Sequence, residues 1–473
     1  MNKKVKGLIA GAVAVVVLVA ALVVLMLMPG TEDGASSSDV SSSSDIILNN
    51  QAVSDISSIT VQNSFGEYTV TPGENDDYSV TGLTEDIPLN QSGYDNITSD
   101  ASEIVAKRLV EENTDNLEQY GLDEPQARVN IAYADGSEFS MEVGDEAPLE
   151  AGTYVLQDDK VYLFLSHKVD TFLLSNLAFV DKNLTGPAGD ETPVLVKMTL
   201  SGTARPQTVV MEDSGNEVSG MSNYNITAPK HHEGDRTKTQ ELADSIYGIS
   251  TQEVVAVNPT DEQLAEYGLK EPYSVVEAVF EKETITLKAS EPKDGYSYVM
   301  NGARNIIYKL SAEGYPWIDA TYESLASVMV ITPLITTVNE LVITTPEKEY
   351  TFELTSVEST DESTLVFQEA TYEGQVLDTD NFKNFYQNVI SARNRTYTTE
   401  QPQEGAEPIL TFRYRYTDTT REDDVVEFYE AENTRVFVSL NGDCESMEYQ
   451  SYVDGILGNL QSLINGETVN TIS

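Results

Sequence analysis

Histidine is rare in this chain, so few side chains could serve as general bases or zinc ligands. The three histidines are His167, His231 and His232. On a strand the adjacent pair would face opposite sides, but on a loop His231 and His232 could bind zinc together with Glu233 and Asp235. His167 stands in Ser166-His167-Lys168, where a surface or capping role competes with that of a general base. We predict neither a catalytic nor a metal-binding residue among them.

The single cysteine, Cys444, is also a poor candidate for chemistry. It follows Asn441-Gly-Asp in a predicted turn, without a basic neighbour or helix start that would lower the pKa of its thiol. The chain has no Gly-x-Ser-x-Gly, His-Glu-x-x-His, Gly-x-x-x-x-Gly-Lys-Ser/Thr or Gly-x-Gly-x-x-Gly motif, the signatures of serine hydrolases, metalloproteases, ATPases and dehydrogenases. We therefore predict no catalytic residue, no cofactor and no enzymatic activity.

Acidic residues dominate the chain, with 78 Asp and Glu against 28 Lys and Arg and a net charge of −50. This charge argues against nucleic acid and against an anionic lipid surface as partners. Two alternatives to a non-catalytic assembly module stay open. A carboxylate-dependent hydrolase is one, because spacing in one sequence cannot reveal a glycosidase-type pair. A small-molecule or glycan-binding ectodomain is the other, because the 25 tyrosines could line a groove or simply fill half-buried sheet.

The elements that would have to position any site are repeated along the chain. Leu117-x-x-Tyr120-Gly121-Leu122-x-Glu124-Pro125 returns 147 residues later as Leu264-x-x-Tyr267-Gly268-Leu269-x-Glu271-Pro272. A repeat of this length indicates duplicated units, each long enough to close its own core. We call the shared residues the repeat motif: Tyr120, Gly121, Leu122 and Pro125, and Tyr267, Gly268, Leu269 and Pro272.

The repeat motif predicts the end of a helical turn followed by the start of a strand. Gly121 and Gly268 can take the left-handed conformation that ends a helix, with the following leucine packed back on the turn as in a Schellman motif. Pro125 and Pro272 then favour extended chain. The motif is therefore interpreted as structural.

Periodicity around the motif predicts three tandem repeats of the α+β class. An amphipathic helix is predicted over Asp100–Val110, and alternating strands flank each copy of the motif. A third copy lacks Tyr-Gly-Leu but keeps Glu407-Pro408 before its strands. Short connections favour mostly antiparallel sheet with helices on one face. The predicted boundaries are residues 51–186, 187–335 and 336–473, the last repeat being degenerate.

The N-terminus predicts a membrane anchor. Lys3, Lys4 and Lys6 precede an uncharged run at residues 8–28, which would span about 31 Å as a helix. A cleaved signal peptide is the rival interpretation, but its apolar region is normally shorter. We predict a cytoplasmic tip and transmembrane helix at residues 1–28, a serine-rich flexible stalk at residues 29–50, and an extracytoplasmic remainder.

With this anchor, the Tyr-Gly-Leu-x-x-Pro repeats, and the turns Asp135-Gly136 and Val143-Gly144-Asp145, the chain resembles the bacterial domain-of-unknown-function-4340 family. The resemblance covers nearly the whole ectodomain and is poorest after residue 336. It implies an envelope protein without assigned activity, linked in some cases with ABC-transporter components of the gliding-motility type. It supplies no catalytic residues.

We therefore predict a single-pass cell-membrane protein whose extracytoplasmic part is a binding or assembly module beside a membrane-embedded complex. Three kinds of surface would distinguish the alternatives. A cleft lined by facing carboxylates would favour the hydrolase, an aromatic cleft the binding ectodomain, and an exposed flat patch the assembly module.

Overall fold

The computed structural model describes residues 45–74, 77–113, 115–189, 193–215, 222–359 and 364–472. The predicted anchor at residues 8–28 and most of the predicted stalk lie outside this part. Within it, no helix is both long and apolar enough to cross a membrane. The described chain forms three large antiparallel sheets and one small sheet, with few helices.

The first sheet has eight strands. They are β2 (Ile56–Asn63), β3 (Gly66–Pro72), β4 (Tyr78–Val80), β6 (Arg108–Glu112), β7 (Ala127–Tyr133), β8 (Glu138–Glu146), β9 (Thr153–Gln157) and β10 (Lys160–Phe164). Their order across the sheet is β4-β3-β2-β7-β8-β9-β10-β6. The small sheet pairs β1 (Ile46–Asn50) with β5 (Glu103–Ala106), so the end of the predicted stalk is a strand.

The second sheet has nine strands in the order β14-β13-β12-β11-β16-β17-β18-β19-β15. They are β11 (Leu195–Ser201), β12 (Val209–Asp213), β13 (Tyr224–Ala228), β14 (His232–Glu233), β15 (Glu253–Val257), β16 (Ser274–Phe280), β17 (Thr284–Ala289), β18 (Tyr296–Asn301) and β19 (Ile306–Ser311).

The third sheet also has nine strands, in the order β23-β22-β21-β20-β25-β26-β27-β28-β24. They are β20 (Val338–Thr344), β21 (Glu349–Glu358), β22 (Leu365–Tyr372), β23 (Gln375–Val376), β24 (Thr396–Tyr397), β25 (Leu410–Tyr416), β26 (Asp424–Glu430), β27 (Arg435–Leu440) and β28 (Asp443–Tyr449).

All three large sheets share one topology. An opening meander lies beside a four-strand closing meander, and the strand between them in the chain (β6, β15 or β24) joins the far edge of the sheet. We call the junction of the two meanders the seam; it is the antiparallel pair β2/β7, β11/β16 or β20/β25. A sheet together with the segments packed on it is called the first, second or third unit below.

Helices are short and cover the sheets. They are α1 (Gln91–Ser102), α2 (Arg236–Asp244), α3 (Asp261–Glu266), α4 (Tyr322–Leu325), α5 (Thr379–Val389) and α6 (Gln450–Ile464). Most begin at a side-chain cap; the Asp235 carboxylate, for example, accepts hydrogen bonds from the backbone N–H groups of Thr237 and Lys238 at the start of α2. Short 3₁₀ turns complete the cover, among them Glu118–Tyr120, Ser166–Lys168, Asp170–Leu173 and Pro316–Ile318.

Helices lie on both faces of the second sheet. Successive strand residues point to opposite faces, and Val299 joins the main core with Leu242 of α2, whereas Tyr298 joins a separate cluster with Leu264 of α3. Strands make up 42% of the structure and helices 20%. The predicted α+β class with helices on one face is therefore wrong, and the described chain is mostly antiparallel sheet.

The helix predicted over Asp100–Val110 is one source of this error. α1 ends at Ser102, and the following residues form β5 and β6. Ile104 and Ala106 are buried while the residue between them is only half-buried, the alternation of a strand. Over so short a segment, the spacing of apolar residues fits both the helical and the strand period. The segment forms strands because it pairs with β1 and β10, which are distant in the sequence.

Two buried tyrosines of the third core give a prediction about hydroxyl burial. The Tyr452 hydroxyl donates to the Val389 carbonyl at 2.7 Å, whereas the Tyr414 hydroxyl has no partner among the described residues. We expect Tyr452→Phe to lower the free energy of unfolding by about 1 kcal/mol and Tyr414→Phe to leave it unchanged or raise it. Urea denaturation of both variants checks this. A greater loss in Tyr414→Phe than in Tyr452→Phe would contradict it.

Candidate functional site

A cleft of about 650 Å³ lies between the second and third units. The segment leading into β14 lines one side, and β26 to β28 line the other. Its polar side chains include Lys230, His231, His232, Glu233, Asn394, Asp424, Asp443, Glu445 and Ser446. Two of the three histidines therefore lie in one cleft with side chains of both charges.

A directed chain of hydrogen bonds crosses the cleft through the buried His232. The Ser446 hydroxyl donates to Asn394 Oδ1 at 2.6 Å, and Asn394 Nδ2 lies 3.1 Å from His232 Nε2. With the amide in this orientation, Nδ2 donates to Nε2, and Nδ1 lies 2.9 Å from the Glu233 carbonyl. Both ring nitrogens of His232 are therefore occupied, and none is left free to activate Ser446 as a nucleophile.

Lys230 and Tyr322 of the second unit both contact β28 of the third. Lys230 Nζ lies 3.2 Å from Asp443 Oδ1 and 3.3 Å from Glu445 Oε2, and the Tyr322 hydroxyl donates to Glu445 Oε1 at 2.6 Å. Burial alone would lower the pKa of Lys230, but the two carboxylates outweigh it and raise that pKa. These contacts join the two units by charge-assisted hydrogen bonds.

Other carboxylates of the cleft are also held by partners from the same chain. Glu233 Oε2 accepts from the Thr332 hydroxyl at 2.6 Å. Asp424 Oδ2 accepts from the Tyr416 hydroxyl at 2.5 Å and from Arg421 Nη2 at 3.0 Å. Glu233 and Asp424 are thus held by side chains of the same chain, whereas the two carboxyl groups of a glycosidase face a gap that holds the substrate.

A nearly buried carboxylate lies close to the cleft, on β28. Glu448 Oε1 accepts from Arg395 Nε at 3.1 Å and from the backbone N–H of Tyr449 at 2.7 Å, and its Oε2 accepts from the backbone N–H of Arg393 at 2.9 Å. The segment between α5 and β24, which carries Asn394, is thereby fixed against the third sheet. No sequence signal identifies Asn394, Glu445 or Glu448, because their partners are distant in the chain.

The structure separates the other residues considered for chemistry. His167 lies exposed in the first unit and His231 lies exposed beside His232. Cys444 is on β28, where burial raises the pKa of its thiol more than nearby Lys230 lowers it, so the thiolate is disfavoured. In the described ranges, no group of three or more His, Cys, Asp or Glu side chains is placed to hold a metal ion.

The repeat motif forms helix-stop turns in the first and second units. Gly121 and Gly268 have φ of 64° and 68°, in the left-handed region. The N–H of Leu122 donates to the Leu117 carbonyl at 3.1 Å, and that of Leu269 to the Leu264 carbonyl at 2.8 Å, the Schellman pattern. Ahead of each glycine, Tyr120 packs edge-on against Tyr154 and Tyr267 against Tyr298. Pro125 and Pro272 precede β7 and β16. The motif residues pack on the sheet face opposite the main core, and none of them lines the cleft.

The bridging role of His232 gives a second prediction. His232→Ala removes an acceptor from Asn394 and a donor from the Glu233 carbonyl inside a buried contact, so we expect the free energy of unfolding to fall by about 1–3 kcal/mol. The control is His231→Ala, an exposed neighbour that should change it by less than about 0.5 kcal/mol. Urea denaturation followed by fluorescence of the single tryptophan, the buried Trp317, measures both. Equal stability of the two variants would contradict the bridge.

Comparison with known proteins identifies a family but assigns no role to the cleft. No curated protein and no solved structure matches it. A family model described as a domain of unknown function (DUF4340) matches residues 83–272 and again residues 225–408, each match ending at the proline of a Glu-Pro pair. Together the matches span more than half of the 473 residues. The chain therefore belongs to the DUF4340 family.

Proposed function

We propose that the protein is a non-catalytic binding or assembly module, held at the outer face of a bacterial cell membrane by residues 8–28 and acting as an accessory of a membrane-embedded complex such as an ABC transporter. The cleft between the second and third units supports the non-catalytic part of this proposal. Across the units, His232 contacts Asn394, and Lys230 and Tyr322 both bind Glu445, and this joins the units into a platform.

The observation that carries the proposal is where the predicted stalk joins the first unit. Ile46 of β1 pairs with Ala106, and the next N–H, that of Lys107, donates to the Leu163 carbonyl near the end of β10. The stalk therefore arrives at the end of the first sheet where β10 finishes. Since β2 and β8 run antiparallel to β7 and β9, the β2–β3 and β8–β9 turns lie at this same end.

This end of the first sheet carries exposed apolar side chains. Phe65 in the β2–β3 turn is 70% exposed and Leu149 in the β8–β9 turn is 99% exposed. Leu165 follows β10, and the Leu174 carbonyl accepts from Asn63 Nδ2 at 2.8 Å beside the β2–β3 turn; both leucines are also exposed. Large apolar side chains at one end of a domain mark contact with a membrane or partner. A coil of the predicted stalk's length spans only on the order of 20 Å, so this end would stay near the bilayer.

The proposed orientation can be tested with the full chain in phosphatidylcholine nanodiscs. Phe65→Trp adds a fluorophore at the membrane-proximal end, and Val357→Trp adds one at an exposed position of the third unit, with buried Trp317 as the common background. We expect brominated lipids to quench the added fluorescence at position 65 and not at position 357. Equal quenching at both positions would contradict the orientation.

The cellular role gives a separate test. A chain that lacks residues 1–28 but is exported by a cleavable signal should fail to complement a deletion strain, because an assembly module acts through its position. The matched control restores residues 1–28 to the same chain. Full complementation by the unanchored chain would contradict the assembly role and favour a diffusible binding protein or a carboxylate-dependent hydrolase.

A further inference from the structure

The repeat motif closes a gap in the first and second units. A Cβ added at Gly121 would lie 2.3 Å from Asp145 Cγ, and one added at Gly268 would lie 3.3 Å from Ser290 Cβ. Asp145 is near the end of β8 and Ser290 directly follows β17, which are equivalent strands. In both units the motif thus packs directly against the turn that leads into the next strand, and no ligand-sized space remains between them.

The third unit has a groove at the equivalent position. Strand pairing places Phe437 where the second unit has Tyr298. Tyr298 pairs with Lys309, which pairs with Glu253 of edge strand β15. In the same way, Phe437 pairs with Met447, which pairs with Thr396 of edge strand β24. The Tyr-Gly-Leu that covers Tyr298 is missing from the loop after β24. A groove of about 1050 Å³ lies between this loop and the β26–β27 turn.

The groove combines an apolar floor with an acidic rim. Phe437, which is 8% exposed, and the half-buried Met447 and Ile409 supply the apolar surface of the groove. Glu400, Glu407, Glu430 and Glu432 line the same groove, and all four are exposed. Arg435 also lines it, but its guanidinium lies over the Tyr449 ring, 4.3 Å from the centroid. The charge of the groove is therefore negative, and it suits a cationic ligand with an apolar side chain.

We propose that this groove binds a basic peptide segment of a partner protein, with an aromatic or leucine side chain in the place that Tyr267 and Leu269 occupy within the second unit. The first two units supply the template, because their own chain fills the equivalent space with a tyrosine and a leucine around a glycine turn. The third unit keeps a loop here, with Gly405 in the left-handed conformation ahead of Glu407-Pro408, but residues 398–409 contain neither a tyrosine nor a leucine. This inference goes beyond the proposed function, since it needs neither the anchor nor a membrane complex.

The test uses the full chain in detergent and a fluorescein-labelled peptide. The peptide has the sequence of Leu264–Pro272 with Glu266 and Glu271 replaced by lysine, and binding is followed by fluorescence anisotropy. We expect saturable binding that weakens with added salt. Ala406→Trp, which fills the groove from its exposed wall, and the double charge reversal Glu430→Lys/Glu432→Lys should each weaken binding by at least about tenfold. All three replaced residues are exposed, and unchanged melting temperatures show that the variants fold.

Two controls separate the groove from general attraction to an acidic chain. Glu291→Lys reverses one charge in the corresponding turn of the second unit, half the charge change of the double variant, and should leave binding unchanged. A scrambled peptide of equal charge should bind more weakly. No binding by the designed peptide, equal binding of the scrambled peptide, or an equal effect of Glu291→Lys would overturn the proposal. Self-association of the chain that is lost in Ala406→Trp would assign the groove to a second copy and would also overturn it.

Discussion

Replacing Arg205 with methionine is expected to lower the free energy of unfolding by at least about 3 kcal/mol. Arg205 is buried, and its guanidinium donates to the carbonyls of Trp317 at 2.8 Å and Ala320 at 2.6 Å, and to the Ser274 hydroxyl at 3.0 Å. Burial lowers the pKa of this arginine, which Tyr273 and Asp319 only partly oppose. Methionine keeps the apolar stem but removes the guanidinium donor from the Ala320 carbonyl and leaves the Trp317 carbonyl with only the Ser274 hydroxyl.

The segment that closes the second unit depends on this contact, so the loss should appear as reduced cooperativity around Trp317 as well as a lower midpoint in urea. Arg128→Met is the matched control. Arg128 is exposed and pairs with Glu142 at 3.0 Å on the sheet surface, where an ion pair contributes less than about 1 kcal/mol. Similar losses in both variants would show that the carbonyl contacts of Arg205 do not stabilise the closing segment.

Among glycine substitutions, Gly152→Ala should destabilise the protein most. We expect it to lower the free energy of unfolding by more than about 3 kcal/mol. Gly152 precedes β9 with φ of 136°, and an added Cβ would lie 1.9 Å from the Phe164 carbonyl oxygen. That oxygen belongs to the backbone of a neighbouring strand, so the clash cannot be relieved by rotating a side chain. The turn must shift, and this endangers the 2.7 Å hydrogen bond from Ala147 N–H to the Gly152 carbonyl.

Gly136→Ala separates the clash from the cost of the backbone conformation. Gly136 has φ of 86°, in the β7–β8 hairpin turn, and an added Cβ meets open space. Only the left-handed conformation should then cost free energy, about 1 kcal/mol. Thermal denaturation of the two variants gives the comparison, and a Gly136→Ala loss as large as that of Gly152→Ala would contradict the account.

Local chemistry is what could be predicted from this sequence. The left-handed glycines and the strands Ser274–Phe280 and Leu410–Tyr416 lie where the turn residues and the alternation of apolar side chains place them. Each depends on neighbours only a few residues away. The space around the two glycines could not be predicted. An added Cβ would lie 2.3 Å from Asp145 at Gly121 but 3.3 Å from Ser290 at Gly268, and both neighbours come from a later strand end.

The fold class was predicted wrongly and the polar contacts of the cleft were not predicted, and both have the same physical reason. Whether Glu103–Ala106 forms helix or strand depends on β1, about 50 residues earlier in the chain. The partner of His232 is Asn394, 162 residues away, and neither residue type indicates the other. The burial of a charged side chain and the order of strands depend on residues that are far apart in the chain. A single sequence reveals only relations between residues that are close together.

The seam of each sheet has a consequence for the rate and order of folding. Ile59 pairs with Ile131, Met198 with Ala278, and Leu341 with Tyr414, so each seam joins strands that are more than 60 residues apart in the chain. Hairpins within a meander form early, whereas seam closure must pay the entropy of a long loop and is slow. The three seams have the same topology. An opening meander can therefore pair with the closing meander of another unit or another molecule before its own closing meander has folded. Refolding at high concentration should therefore yield exchanged oligomers, and delivery from the N-terminus onward, which completes one seam before the next is available, is the route that avoids them.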